Sequence, residues 1–392
     1  MALEKAASGR LLSLDILRGI TIAGMILVNN PGTWSTIYAP LRHAEWNGLT
    51  PTDLVFPFFM FIMGISMYFS LRKFQFRPSG RLMWKIVRRT VLIYLIGLAI
   101  AWFSSLCYGL AGSDESLPLW DRICRSANSF SHLRLVGVMP RLALCYFFGS
   151  IIAITLKHKF IPWLIGAILV AYSVILLVGN GYDFSHDNII YIFDSAILGE
   201  AHMYGGLSVG GENMVFDPEG LLSTLPCIAH VLIGLMCGEA IMKTKDNYRR
   251  VNDLMLVGTI LTFAGLLLHY GLPINKNIWS PTFVITTCGL GASLLGLLIW
   301  IIDIKGRNRW CRFFESFGIN PLFLYVLGGV LGILFGSISI GGTSIKGWLY
   351  AKTLLPVIGD AHLASCLYAI LFVAINWCIG FILYKKKIYI KI

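Results

Sequence analysis

Apolar runs of about 18 to 25 residues recur along the chain, and each is long enough to cross a hydrocarbon core of about 30 Å as a helix. The stretch 161–179, IPWLIGAILVAYSVILLVG, shows the pattern without a single charge. Comparable runs lie at 12–30, 50–71, 86–107, 135–156, 220–242, 251–271, 281–302, 318–339 and 363–384. In lipid a helix satisfies its own backbone, so the pattern predicts an all-α, polytopic membrane helix bundle of about ten transmembrane helices. A mean hydropathy of +0.73, with 13% charged residues, excludes an ordinary soluble domain. No soluble module, short repeat or low-complexity tract interrupts residues 1–392, which read as one transmembrane domain. The opening MALEKAASGR imitates the charged start of a signal peptide. Asp15 and Arg18 in the segment that follows, and the lack of a cleavage site, predict that it is retained.

Charge orients the bundle, because basic residues in short loops stay on the cytoplasmic side. Lys5 and Arg10 precede the first run; Arg72, Lys73, Arg77, Arg81, Lys85, Arg88 and Arg89 follow the second; Lys157 and Lys159 follow the fourth. Lys243, Lys245, Arg249 and Arg250 follow the sixth, Lys305, Arg307, Arg309 and Arg312 the eighth, and Lys385, Lys386, Lys387 and Lys391 the last. Both termini are therefore expected in the cytoplasm. The connection at about 180–219 has no Lys or Arg but seven acidic residues, so it is expected outside as an acidic loop. The net charge of +12 thus reads as topology rather than as a nucleic-acid footprint.

Six of the nine cysteines (Cys145, Cys227, Cys237, Cys288, Cys366 and Cys378) fall inside apolar runs, where they pack as small hydrophobes. Cys107 and Cys124 are the candidate external pair, and no Cys/His spacing resembles a zinc site. Charged groups within the runs are few, and each must pair or line an aqueous space. Asp15 and Arg18, three apart, share a helical face and read either as an internal ion pair or as the rim of a cavity for a charged ligand. Arg141 follows Pro140, which predicts a local helix break, with the guanidinium bonded to freed carbonyls or facing a substrate passage. His230 reads as a core histidine and His269 as an interfacial one.

The connection VNNPGTWSTIYAPLRHAEWNGLTPTDLVFPFF, residues 28–59, is different. It sets His43 ahead of Glu45 and Asp53, either of which could supply a carboxylate partner, with Asn29 at the end of the preceding run. An imidazole oriented by a carboxylate can take a proton or attack an acyl group with its other nitrogen. A nearby amide can hold an acceptor or an oxyanion. The competing reading makes this an external turn whose polar groups satisfy helix ends, with Asp53 as a cap after Pro51 and Thr52.

The stretch LDILRG, VNN and LRHAEWNGLTPTDLVFPFFMFIMGIS strongly resembles the membrane portion of the heparan-alpha-glucosaminide N-acetyltransferase family. GVMPRLALCYF, LGEAHMYGG, FDPEGLLSTLPCIAHVLIGLMCGE, LPINKNIWSPTFV and GINPLFLYV resemble that family's later motifs in the same order. The resemblance implies an integral membrane acyltransferase that takes acetyl from cytoplasmic acetyl-CoA and delivers it to a glucosamine-type amine on the external face. Carried over residue by residue, it implies His43 as general base or acetylated nucleophile, Asn29 to position the acceptor or hold the oxyanion, and Asp53 to orient His43. It also departs from the family: Asn30-Pro31 replaces a tyrosine and glycines, Pro140 replaces a glutamine, and a lumenal N-terminal region and extra span have no counterpart. The departures bear on the choice of acceptor.

Beside this reading, Arg18, Arg72, Arg88, Arg89 and Arg141 are the expected cofactor-binding residues, since acetyl-CoA carries phosphate charge. Glu45, Trp46, Asn47, Asp217 and Glu219 are the expected substrate-binding residues, and Tyr182, Tyr191, His202 and Tyr204 could complete a sugar platform. No metal is expected. The expected setting is the bacterial inner membrane, with a homodimer implied by the family. O-acetylation of an envelope glycan, and transport of amino sugars without chemistry, are the alternatives.

Overall fold

The computed structural model of the protein describes residues 11–114 and 116–390. Lys5, Arg10 and Lys391, used above to orient the chain, lie outside the described residues. The helices are α1 (Leu12–Asn29), α2 (Val55–Leu71), α3 (Gly80–Ala111), α4 (Leu119–Ala127), α5 (Val138–Thr155), α6 (Ile161–Val178) and α7 (Ile189–Leu198). After a hairpin of β1 (Leu207–Val209) and β2 (Glu212–Met214) come α8 (Thr224–Lys243), α9 (Asn247–Leu268), α10 (Pro281–Leu298), α11 (Cys311–Ile319), α12 (Pro321–Ser337) and, past a short hairpin and a helical connection, α13 (Ala361–Lys385). Among the described residues nine helical segments are long and apolar enough to span a membrane, or ten if α11 and α12 count as one span bent by 88°. The expected all-α multi-pass bundle is borne out.

Caps legible in the sequence start several helices. Ser79 accepts from the Leu82 amide at 3.3 Å, Asp246 from the Arg249 amide at 3.0 Å, Ser280 from the Phe283 amide at 3.2 Å and Asp360 from the Leu363 amide at 2.6 Å. The Ser79 cap carries α3 back to Gly80, six residues before the expected start at 86. Arg81 and Lys85 therefore ride on the helix, as Arg88 and Arg89 do, rather than in a loop. The helix break expected at Pro140 is absent, because α5 begins at Val138 and the proline sits in its first turn, where no amide hydrogen is needed. The acidic connection at 180–219 is external to the spans but structured. It holds α7 and the β1–β2 hairpin, which pairs Leu207 with Met214 across a Gly210-Gly211 turn with both φ positive.

Helices α1, α2, α5, α8 and α10 form the interior; α3, α6 and α9 lie at the periphery. Over a span length, 72% of α8 is buried against 6% of α3. Lipid offers apolar surface as good as leucine, so helix association depends on close packing. The α2–α8 contact shows how: a Cβ on Gly64 would lie 2.1 Å from the Val231 carbonyl oxygen, and one on Gly234 would lie 2.2 Å from that of Phe61. The bend between α11 and α12 sits at Asn320, whose side chain donates to the Ile388 carbonyl and accepts from the Ile390 amide, both at 2.9 Å. Cys107 and Cys124 carry free thiols, so the candidate external pair is not formed.

Candidate active site

At the end of the bundle where α1 finishes, the connection from Asn30 to Leu54 folds back over the helices. Gly32 and Thr33 are tied to Ser365 at the start of α13, at 3.2 Å and 3.1 Å. Farther along, Gly48 donates to the Ile274 carbonyl at 2.7 Å, and the Asn275 amide donates to Asn47 at 3.2 Å. The loop is thereby clamped between two connections more than 200 residues away in sequence.

His43 Nδ1 lies 2.6 Å from Asp53 Oδ1. The other carboxylate oxygen, Oδ2, accepts from the Ala44 amide at 3.1 Å, the Thr50 amide at 3.1 Å and the Thr50 hydroxyl at 2.9 Å. The two readings of Asp53 are thus both realised: Oδ2 caps the turn Pro51–Leu54 that leads into α2, and Oδ1 addresses the imidazole. The Asp53 side chain is 1% exposed and that of His43 40%. A buried carboxylate only accepts, so an imidazole that donates Nδ1–H to it keeps its lone pair on Nε2.

A third residue completes the cluster. Lys276 Nζ sits 3.0 Å from His43 Nδ1, 3.4 Å from Nε2 and 3.5 Å from Asp53 Oδ1. It is delivered by a turn that closes on itself. Asn275 and Ser280 exchange bonds at 3.0 and 2.9 Å, and Asn275 Oδ1 accepts from the Ile278 amide at 3.2 Å. Burial pushes the Lys276 ammonium below the usual lysine range, against the pull of the Asp53 and Glu219 carboxylates.

A cavity of about 590 Å³ is walled by α1, α3, the 132–140 segment, Tyr204 and α12. Asn29, exposed at the end of α1, lines it, together with Arg134, Tyr204, Tyr325 and Lys346. His43 is not among its lining residues. Arg134 grips Asp217 with two bonds of 2.8 and 2.5 Å and reaches Glu219 at 2.6 Å. Burial alone would lower its pKa, yet the two carboxylates raise it above the ordinary arginine value. Glu219 joins the cavity to the histidine cluster electrostatically. Burial would raise its pKa, but the charges of Arg134, Arg141 and Lys276 hold it below the usual range.

The other expected site residues are spread widely. Trp46 is buried in an aromatic cluster with Phe184 and Phe216, its indole donating to the Tyr182 carbonyl at 2.6 Å, so it docks the loop. Glu45 and Asn47 are exposed beside His43. Asp217, fully buried, also accepts from the Tyr204 and Glu219 amides, so all its capacity is spent inside the fold. Of the aromatic platform residues, Tyr204 lines the cavity; Tyr191 binds Glu200 and His202 binds the Leu133 carbonyl.

Arg18 is at the far end of α1, bonded to Asp15 at 3.1 Å, Ser66 at 2.8 Å and the Gly318 carbonyl at 3.3 Å, which realises the internal ion pair. Arg72 and Arg88 are exposed near that same end, while Arg89 lies over the Tyr146 ring at 4.7 Å. Arg141 is 1% exposed, donates to the Gly220 carbonyl and the Ser223 hydroxyl, and lies 5.3 Å from the centre of the Trp279 ring. Sequence reasoning missed Lys276 and Arg134. The signal available was their sidedness, since both are cations on loops that charge alternation assigns to the outside.

Residues 10–110 match the family model described as "Heparan-alpha-glucosaminide N-acetyltransferase, catalytic", a segment that contains Asn29, His43 and Asp53. The chain is similar over 99% of its length to a mouse protein named heparan-alpha-glucosaminide N-acetyltransferase, at 27% identity, and over 98% to a human protein of that name, at 29%. It spans about 61% and 60% of the length of those two relatives.

Proposed function

From the premise that this chain is a relative of the heparan-alpha-glucosaminide N-acetyltransferases, as its motifs led us to expect, we propose that it is a transmembrane acetyltransferase. It moves acetyl from cytoplasmic acetyl-CoA to the amine of a glucosamine-type sugar at the external face of the bacterial inner membrane. The observation that carries this reading is the 2.6 Å His43–Asp53 pair, half open to solvent at the end of the bundle opposite the basic segments.

A thioester acetylates an amine only if the nitrogen is neutral and sheds a proton as it attacks. His43 Nε2 takes that proton, or takes the acetyl group first and passes it on. Asp53 holds the ring by Nδ1 so that the free lone pair points at the reacting atoms. Asn29, from the wall of the cavity, positions the acceptor. The phosphates of acetyl-CoA stay at the basic face, where Arg72 and Arg88 are exposed. Arg18 and Arg141, held by protein partners, serve the fold instead. Wild-type and His43→Ala protein, purified in detergent and given labelled acetyl-CoA and glucosamine, provide the test. The reading requires transfer by the first and loss of it in the second; equal turnover would remove His43 from the chemistry. Label retained on His43 without acceptor would assign the two-step route.

A further inference from the structure

We infer that Lys276 is a catalytic residue of this site, the cation that holds the carbonyl oxygen of the acetyl group as negative charge develops on it. The inference rests on the acetyl-transfer reading above and extends its machinery to a residue 233 positions from His43 in sequence. Three observations support it. First, the ammonium lies within 3.4 Å of both ring nitrogens of His43, so an acyl carbon brought to Nε2 has its oxygen within reach of Nζ. Second, Lys276 is not required to satisfy Asp53. That carboxylate already takes four donors from His43, Ala44 and Thr50, and Lys276 stands 3.5 Å from Oδ1, outside good hydrogen-bond distance. Third, its side chain is 16% exposed and held by the closed Asn275–Ser280 turn, so the charge is pre-placed rather than recruited.

A cation beside a base is unhelpful if the base works alone, because it opposes uptake of a proton. It fits a reaction that makes opposite charges on neighbouring atoms. As the amine nitrogen bonds to the carbonyl carbon, its N–H proton passes to His43 Nε2 and the carbonyl π pair moves onto oxygen, against Lys276. When that pair returns, the C–S bond breaks and the coenzyme leaves as a thiolate, which takes the proton from His43. The charged groups around the imidazole match this division. Asp53 and Lys276 face it directly, Glu219 backs Lys276, and Arg134 and Arg141 face Glu219.

The test uses two assays on full-length protein in detergent. Acetyl transfer from acetyl-CoA to glucosamine by wild type checks the underlying reading. Release of nitrophenolate from p-nitrophenyl acetate, with the His43→Ala rate subtracted, needs neither coenzyme nor acceptor and checks Lys276 by itself. Lys276→Met should lower both rates by about 10²- to 10³-fold, with the KM for acetyl-CoA within about threefold and the thermal midpoint held. Lys276→Arg should recover at least tenfold of the loss. Should Lys276→Met not fold, Lys276→Gln, which retains a donor but no charge, replaces it with the same expectation. His43-dependent release at the wild-type rate in the uncharged variant would overturn the inference. So would an Arg variant as inactive as the Met variant with its thermal midpoint and KM displaced, which would mark a structural role. Loss of glucosamine acetylation in wild type alone would overturn the parent reading and leave the nitrophenolate result to decide on Lys276.

Discussion

Asp53 and Asp217 are both buried carboxylates on loops between the spans, and both hold a basic side chain, yet they do opposite things. Asp217 meets Arg134 in a two-pronged bond, accepts two backbone amides besides, and has Glu219 behind it on the same guanidinium. Both Asp217 oxygens are spent inside the fold. Asp53 divides its oxygens, spending one on a turn and the other on an imidazole whose side chain is 40% exposed. The difference teaches that burial and charge alone do not mark a reactive group. What marks it is a titratable partner with one edge committed and one edge open.

The comparison can be broken by exchanging effects between the two clusters. The largest expected effect is on the open one: His43→Ala should lower acetyl transfer by about 10²- to 10⁴-fold, read from initial rates, with little change in thermal midpoint. If stability fell with activity, His43 would belong with Asp217 as a structural group. Asp217→Ala should do the converse, costing about 1–3 kcal/mol of stability because it leaves the Arg134 guanidinium with Glu219 alone and takes the acceptor from the Tyr204 and Glu219 amides. Thermal unfolding in detergent would read the loss, and kcat per folded molecule should stay within about threefold. Asp53→Asn falls between: its amide keeps one acceptor oxygen but weakens hold on Nδ1, and kcat should drop by about 10- to 100-fold with KM nearly unchanged.

The smallest effect concerns a third buried carboxylate and sharpens the contrast by its sign. Asp194, on α7, accepts from the Leu221 and Leu222 amides at 3.1 Å, but its burial dominates and pushes its pKa up to about 6. The folded state therefore binds this proton more tightly than the unfolded chain, where an aspartate has its ordinary value near 3.8. The stability so gained is present at acid pH and is lost as pH rises through about 4 to 6. It amounts to about 1–3 kcal/mol. Thermal midpoints of wild type and Asp194→Asn between pH 4 and 7 should converge at the acid end. A wild-type midpoint that rises with pH across that window, relative to the variant, would contradict the assignment.

Much of the fold was legible because it is local. An apolar run declares a span whatever surrounds it, and a Ser or Asp cap declares where a helix begins. The errors came from local rules applied without their frame. Pro140 reads as a break until the start of α5 at Val138 makes it a first-turn residue, and Arg81 and Lys85 read as loop cations until the Ser79 cap extends α3 beneath them. Trp46 looked like a sugar contact because it neighbours His43, but alternate residues of a docked loop face opposite ways.

By itself, then, the sequence determined the helical membrane bundle and its family resemblance, and it offered Asp53, ten residues from His43 across one short connection, beside Glu45 as the partner of that imidazole. Hydropathy, capping and short loop closure act within a few turns of chain and leave their marks in order. Only the tertiary structure decided that Lys276 stands against the same imidazole, nearer the nitrogen that meets Asp53, that Arg134 is consumed by Asp217 and Glu219, and that Asn29 faces a cavity whose lining omits His43. Those relations join residues 83 to 233 positions apart, fixed by how helices with glycine-lined contacts stack and by which loops their ends bring together. No periodicity along the chain records them.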